Sequence, residues 1–346
     1  MEKITYAKAI NQAMYEEMKR DSKVILIGED VGAFGGAFQV TKGLSDAFGE
    51  DRVFDTPISE SAIIGCAVGV AMHGWRPIIE MQYSDFVTCG FDQIVNQAAK
   101  IHFMSGGQFS VPLVLRMPTG AREHGAHHDQ STEAWFMHTP GLKVVFPSTA
   151  YDAKGLLKSA VRENNPVVFF EHKVLYSSHS VGGQGLPDVV SNDFVQDIEK
   201  DIPDEEYLIP LGKADIKREG TDLTIIATGL MVHRTMQAAL VLEHKNISAE
   251  VIDLRSLVPL DKSTILASVQ KTNRVIIVTE ETRTASAASE ISAMINEEAF
   301  DYLDAPVVRL GTPDTPLPFS PAMQDVLIPS VLNIVEAGQE LLRRCL

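Results

Sequence analysis

The chain has 346 residues, 45% of them hydrophobic, and a formal net charge of −16. That length and apolar content suffice for two ordinary domains with cores of their own, which excludes disorder as the default. The acidic balance excludes a phosphate-neutralising nucleic-acid surface, and no segment reaches the roughly 18 consecutive apolar residues of a membrane span.

The first predicted element is a helix carrying Ala7, Ile10, Met14 and Met18 at spacings of three and four. This N-terminal stretch mixes both charges and lacks the apolar run of a signal peptide. Short apolar runs then alternate with stretches of helical period, the sequence form of an α/β domain with a largely parallel sheet. Strands are expected at Val24–Ile27, Arg52–Asp55, Pro77–Met81, Val111–Met117, Leu142–Phe146 and Pro166–Glu171, with helices at Ser61–His73, Phe91–Met104 and Tyr151–Glu163. From about Leu175 to Pro210 the pattern fails in a Ser-, Gly-, Pro- and acid-rich stretch that reads as a linker or surface loop.

Alternation returns with strands at Leu223–Ala227, Ala249–Asp253, Arg274–Thr279 and Val307–Leu310. Helices are expected at Met231–Leu242, Ser286–Ala299 and Val331–Arg344. The division is therefore 1–176, a linker at 177–210, and 211–346. Cys66, Cys89 and Cys345 have neither paired spacing nor a CxxC, which points to a reducing, cytoplasmic setting and away from a disulfide framework or a zinc ribbon.

The most informative stretch is residues 55–77, DTPISESAIIGCAVGVAMHGWRP. An acid in the first turn of a helix complements the helix dipole, and for Glu60 taken alone that is the ordinary explanation. The helix it opens has almost no polar face, so it is expected to be buried on all sides or packed on another chain, with Glu60 poorly solvated and its pKa raised. GAREHGAHHDQS places His124, His127 and His128 in a Gly-rich stretch without helical period. The cluster has no distant Cys/His partner to complete a metal site, and none is expected.

Taken together, GEDV (28–31), TPISE (56–60), RPIIEMQYSDF (76–86), FDQIVNQAAK (91–100), HDQS (128–131), PGLKVV (140–145) and DAKGLL (152–157) resemble the β subunits of thiamin-diphosphate-dependent decarboxylating components of 2-oxo acid dehydrogenases. The pyruvate, branched-chain and acetoin enzymes make up that family. The likeness continues through LGKADIKREGTDLTIIATG, VIDLRSLVPLD and LDAPVVRLGTPDTPLPFS, and so covers nearly the whole chain. It implies a two-domain α/β fold: a three-layer domain that binds the pyrimidine of thiamin diphosphate, and a transketolase-C-terminal-like domain.

The same resemblance implies that Glu60 hydrogen-bonds the aminopyrimidine nitrogen and activates the cofactor, a task suited to a carboxyl of raised pKa. Phe86 would pack on the pyrimidine ring, although an isolated Phe is as readily a core residue. Glu29 matches an acid near the cofactor pocket and reads equally as a strand-end cap. His128 would face the substrate or the incoming lipoyl group as proton donor or electrostatic stabiliser. Here the sequence departs from the commoner HSQS by carrying Asp129, and the preceding loop is about one residue shorter than in the pyruvate enzymes, which leaves the placement of His124 and His127 open. Asp253–Leu257 and Glu280–Glu281 are read as structural or interfacial.

No Gly-Asp-Gly motif occurs to hold magnesium and the diphosphate. The resemblance thus implies half a site, with the Mg2+ held by an α subunit in an α2β2 heterotetramer, a β–β contact, and docking to a lipoyl acyltransferase core. The expected reaction is decarboxylation of a 2-oxo acid with transfer of the acyl group to a lipoyl domain; the other readings are an acetoin dehydrogenase β subunit cleaving acetoin, a self-sufficient transketolase-like enzyme, and a non-catalytic assembly module whose Glu297, Glu298, Asp301 and Asp304 bind a basic partner.

Overall fold

A computed structural model of the chain describes residues 4–122, 124–177 and 201–343. Most of the expected linker, together with Cys345 and the tip of the last helix, lies outside them.

The first six strands are β1 (Val24–Gly28), β2 (Val53–Asp55), β3 (Arg76–Glu80), β4 (Val114–Thr119), β5 (Lys143–Val145) and β6 (Val167–His172). They are followed by β7 (Asp215–Arg218), β8 (Leu223–Ala227), β9 (Ala249–Asp253), β10 (Ser256–Val258), β11 (Val275–Thr282) and β12 (Val308–Thr312). One sheet runs β10-β5-β6-β4-β3-β1-β2 and the other β12-β11-β8-β9-β7. Strands β1 to β6 pair in parallel, as do β8, β9, β11 and β12; only β10 and β7 run against their neighbours.

In the first sheet the helices lie on both faces. Helices α1 (Tyr6–Arg20) and α6 (Ala150–Arg162) share one core, in which Ile10, Met14 and Met18 pack with Leu156, Leu157 and Val161. Both open on a threonine cap: Thr5 Oγ1 accepts the Lys8 N–H, and Thr149 Oγ1 that of Asp152, each at 3.1 Å. On the opposite face, Ile63, Ile64, Ala67 and Val68 of α3 (Glu60–Met72) enter a second core. Both cores continue into the second domain, one through Ile225 and Leu230 and the other through Ile226 and Ile265. The remaining helices are α2 (Leu44–Phe48), α4 (Ile101–Met104), α5 (Glu133–Met137), α7 (Leu230–Glu243), α8 (Lys262–Thr272), α9 (Ala287–Ala299), α10 (Pro321–Leu327) and α11 (Val331–Arg343).

Two expectations need correction and another is narrowed. The helix predicted over Phe91–Met104 is broken: a 3-10 segment at Ser84–Gly90 leads through Phe91 and Asp92 into a π-helical turn at Gln93–Ala98, and α-helix resumes only at Ile101–Met104. The widened turn lies where another chain segment presses on it, for a Cβ on Gly141 would meet the Ala99 carbonyl oxygen at 2.0 Å. Helix α3 is not buried all round by the described residues; Ala62, Cys66 and Gly69 form an exposed face, so of the two expected placements complete burial within the chain is the one set aside. Finally, the tail of the expected linker is structured: Ile209 is buried and Tyr207 stacks on Tyr151 at 4.6 Å.

Periodicity gave no sign of how the two domains are joined. Strand β10 leaves the second domain and adds to the edge of the first sheet, pairing Ser256 with Val145. Beside it, Asp152 at the start of α6 meets Lys217 at 2.6 Å and Arg255 at 2.9 Å, and the Ser148 hydroxyl donates to Asp253. Asp253 and Arg255 therefore have a structural role at the joint between the domains. Deeper in the sheet, Arg116 is fully buried; it donates two bonds of 2.7 Å to Glu171 and a third to Glu80, tying β3, β4 and β6 together.

Candidate active site

Because β2, β1, β3 and β4 are consecutive and parallel, their C-terminal ends open on one edge of the sheet. Each end delivers one expected residue. Glu29 follows β1, Glu60 follows β2 and opens α3, Phe86 follows β3, and His128 lies in the loop after β4. Ligand sites of open parallel sheets form along such an edge.

Glu29 is 7% exposed. Burial, and then the Glu60 carboxylate, raise its pKa. The sequence reading expected the buried, raised acid to be Glu60, but Glu60 is only half-buried, since it opens the helix whose outer face this chain leaves uncovered. Among the described residues its carboxylate accepts no hydrogen bond. Its backbone is fixed from below: a Cβ on Gly90 would stand 3.0 Å from the Glu60 carbonyl oxygen and 2.5 Å from Ile64 Cδ1.

The 3-10 turn that carries Phe86 packs against α3. His128 meets Phe86 edge to face at 5.4 Å and Tyr83 at 4.8 Å, so two aromatic rings hold the imidazole. His124 also meets Tyr83, at 5.9 Å; burial, then Lys173, lower its pKa. His127 is exposed.

Asp129 is the residue the motif comparison undervalued. Its fully buried carboxylate accepts the N–H groups of Arg122, His124 and Gly125 at 3.0, 2.7 and 2.8 Å. Lys173 Nζ donates to it at 3.0 Å and also to the His128 carbonyl. Burial opposes ionisation of Asp129, yet Lys173, Gln324 and the Arg122 N–H hold it below the usual carboxylate range. Asp85 ties the neighbouring turns together by accepting the Gln130 side chain at 2.8 Å. Asp85 and Gln130 sit inside the YSDF and HDQS motifs, whereas Lys173 is 44 residues from Asp129 and left no local signal.

Residues 2–178 match the family model described as transketolase, pyrimidine binding domain, and residues 212–334 that of the transketolase C-terminal domain. The 2-oxoisovalerate dehydrogenase subunit beta of Bacillus subtilis is 48% identical over 343 residues, covering 99% of both chains. The chain belongs to the family of 2-oxo acid dehydrogenase β subunits. Also from Bacillus subtilis, the pyruvate dehydrogenase E1 component subunit beta is 46% identical with 99% of each chain covered, and the acetoin:2,6-dichlorophenolindophenol oxidoreductase subunit beta is 44% identical with 98% of this chain and 97% of that one covered. A solved structure titled split gene transketolase, inactive beta4 tetramer, has the same fold, with a TM-score of 0.76 at 23% identity over 99% of both chains. Membership of this family of oxidoreductase subunits is at odds with a purely structural role. No helix among the described residues is long and apolar enough to cross a membrane.

The side chains at the strand ends suit the pyrimidine half of thiamin diphosphate. Among the described residues the half-buried Glu60 carboxylate accepts no hydrogen bond, which leaves it open to a ring nitrogen, and Phe86 lies in the turn that packs on the same helix. No Gly-Asp-Gly motif is present for the diphosphate end.

Proposed function

We propose that this chain is the β half of an α2β2 enzyme that decarboxylates a 2-oxo acid and passes the acyl group to a lipoyl domain, with thiamin diphosphate lying between the two kinds of subunit. The carrying observation is the delivery of Glu29, Glu60, Phe86 and His128 to one edge by adjacent parallel strands. In this reading residues 1–176 are the pyrimidine-binding domain, 177–210 the linker and 211–346 the second domain. The cytoplasm is the compartment. The α partner holds Mg2+ and the diphosphate.

When bound, the cofactor supplies the nucleophilic carbon that lets carbon dioxide leave the 2-oxo acid. Glu60 holds the aminopyrimidine by sharing a proton with its ring nitrogen. Glu29, raised by burial and by Glu60, keeps more protons in the pair than two isolated carboxyls would. Phe86 packs on the ring and excludes water. His128, oriented by Tyr83 and Phe86, is the proton donor or cation that faces the reacting acid and the lipoyl group. Burial of the Ala62–Gly69 face of α3 by the α subunit completes the desolvation of Glu60.

The acids expected to meet a basic partner are partly used within the chain. Glu298 pairs with Lys262 at 2.7 Å and Asp304 with Arg274 at 2.8 Å, while Glu297 and Asp301 face solvent.

The test is turnover of the reconstituted α/β enzyme with pyruvate, 2-oxoisovalerate and acetoin, using an artificial electron acceptor, in the wild type and in Glu60→Gln. Turnover of a 2-oxo acid that falls by about 100-fold or more in the variant while assembly persists supports the reading. Turnover of acetoin alone, or an unimpaired variant, overturns it.

A further inference from the structure

The loop that carries the histidines belongs to the first domain, yet the second domain holds it at three places. At its start, the Ala121 N–H donates to Glu280 at 2.6 Å. Just beyond its end, the Ala134 N–H donates to Glu281 at 2.9 Å. Between them, Gln324 of α10 donates to Asp129 Oδ2 at 2.8 Å across 195 residues of sequence. That oxygen also accepts the N–H groups of His124 and Gly125, at 2.7 and 2.8 Å.

Gln324 is 4% exposed, and its amide is fixed by a second bond of 2.8 Å to the Pro318 carbonyl. Gly125 has a positive φ of 80°, and a Cβ there would meet Phe319 at 2.6 Å, so the segment leading into α10 is packed directly on the loop. Asp129 Oδ1 completes the arrangement by accepting the Arg122 N–H and Lys173 Nζ, each at 3.0 Å, and the same ammonium donates to the His128 carbonyl. Every backbone group that Asp129 holds lies within seven residues of it. The amide of Gln324 is thus joined to His128 by a short chain of buried and part-buried bonds.

We infer that Gln324 is a positioning residue for the reaction: acting through Asp129, it sets the loop that presents His128, so that the second domain controls the geometry of a site it does not enter. This rests on the proposed role of His128. Buried groups with all their bonds made fix a loop in one arrangement, and a displacement of about 1 Å at a reacting group can cost about 100-fold in rate.

The experiment uses the full chain assembled with its α subunit, as wild type, Gln324→Leu and His128→Ala. It follows amide exchange across residues 122–130 and, separately, kcat and KM. In Gln324→Leu we expect exchange in that loop to rise at least several-fold while the rest of the chain stays protected, with kcat down about 10- to 100-fold and KM within about twofold. Unchanged loop exchange overturns the inference, as does a rise shared by the whole chain. Asp129→Asn, which retains one acceptor oxygen, is the second variant should Gln324→Leu fail to fold, and the same split is expected of it. If His128→Ala turns over normally while loop exchange in Gln324→Leu still rises, the role of His128 falls and the positioning contact stands.

Discussion

His172 Nε2 and Glu280 Oε2 stand 2.7 Å apart, one at the end of β6 and the other in β11, 108 positions away in the sequence. Burial opposes the charge on Glu280, but His172 and the Ala121 N–H hold its carboxyl below the usual range. A depressed acid contributes its full stability above the unfolded carboxylate value of about 4.3 and loses it as pH falls through the lower folded value. Glu280→Ala orphans both partners in a buried place and is expected to cost about 3–5 kcal/mol in denaturant unfolding. A loss under about 1 kcal/mol would show that the domains are held together elsewhere.

The neighbouring carboxyls Glu29 and Glu60 make a separate prediction. Glu29 is raised first by burial and then by the charge on Glu60, so Glu60→Gln lowers the titration point of Glu29 while leaving it above that of an ordinary Glu. A carboxyl-selective NMR titration of the chain reads this directly. No movement of the Glu29 midpoint would mean that the two groups do not sense each other.

Gly90 tests the seat of α3. Because a methyl there would press on Ile64 Cδ1 and the Glu60 carbonyl, Gly90→Ala displaces the first turn of the helix. We expect about 1–3 kcal/mol of destabilisation, and a fall in turnover of about 10-fold or more with assembly retained. Wild-type kcat in this variant would disconnect the position of Glu60 from activity.

At the domain joint, Asp253 is pushed up to about 6, chiefly by burial, with Lys217 opposing and Asp152 adding to the rise. The folded chain keeps this proton where the unfolded chain, with an Asp value of about 3.9, has released it. Its contribution is therefore complete below about pH 4 and is lost as pH rises to about 6, a change on the order of 3 kcal/mol. Asp253→Asn should remove that slope, so stability of the variant relative to wild type rises between about pH 4 and pH 7. Parallel pH curves for the two proteins would show that Asp253 ionises normally.

Much of the site was legible in the sequence because short motifs at strand ends carry it. Glu29, Glu60, Phe86 and His128 each follow an apolar run, and apolar runs of four to six residues became strands with ends shifted by a few positions at most. Where the reading failed, the cause was a contact between segments far apart in the chain. The helix predicted at Phe91–Met104 yields to the approach of Gly141, and the mixed sequence of Ser256–Val258 becomes a strand because the edge of β5 is open to it. The break at the predicted linker showed that a domain ends there, and nothing in periodicity shows that Ile209 and Tyr207 pack back onto α6.

The two-domain α/β order, the family and the candidate side chains at the strand ends were legible without coordinates, since those depend on local periodicity and on motifs of a few residues. The solvation of Glu60 and the support of His128 were decided by the tertiary structure. Glu60 lies half-open because the outer face of α3 is uncovered by this chain, and a helical pattern records apolar surface without recording what covers it. Asp129 looked like a substitution in a motif, and became a fully buried anion only when Lys173 and Gln324, 44 and 195 residues away, were brought to it. An ion in the protein interior persists only with its partners in place, and those partners are a property of the fold.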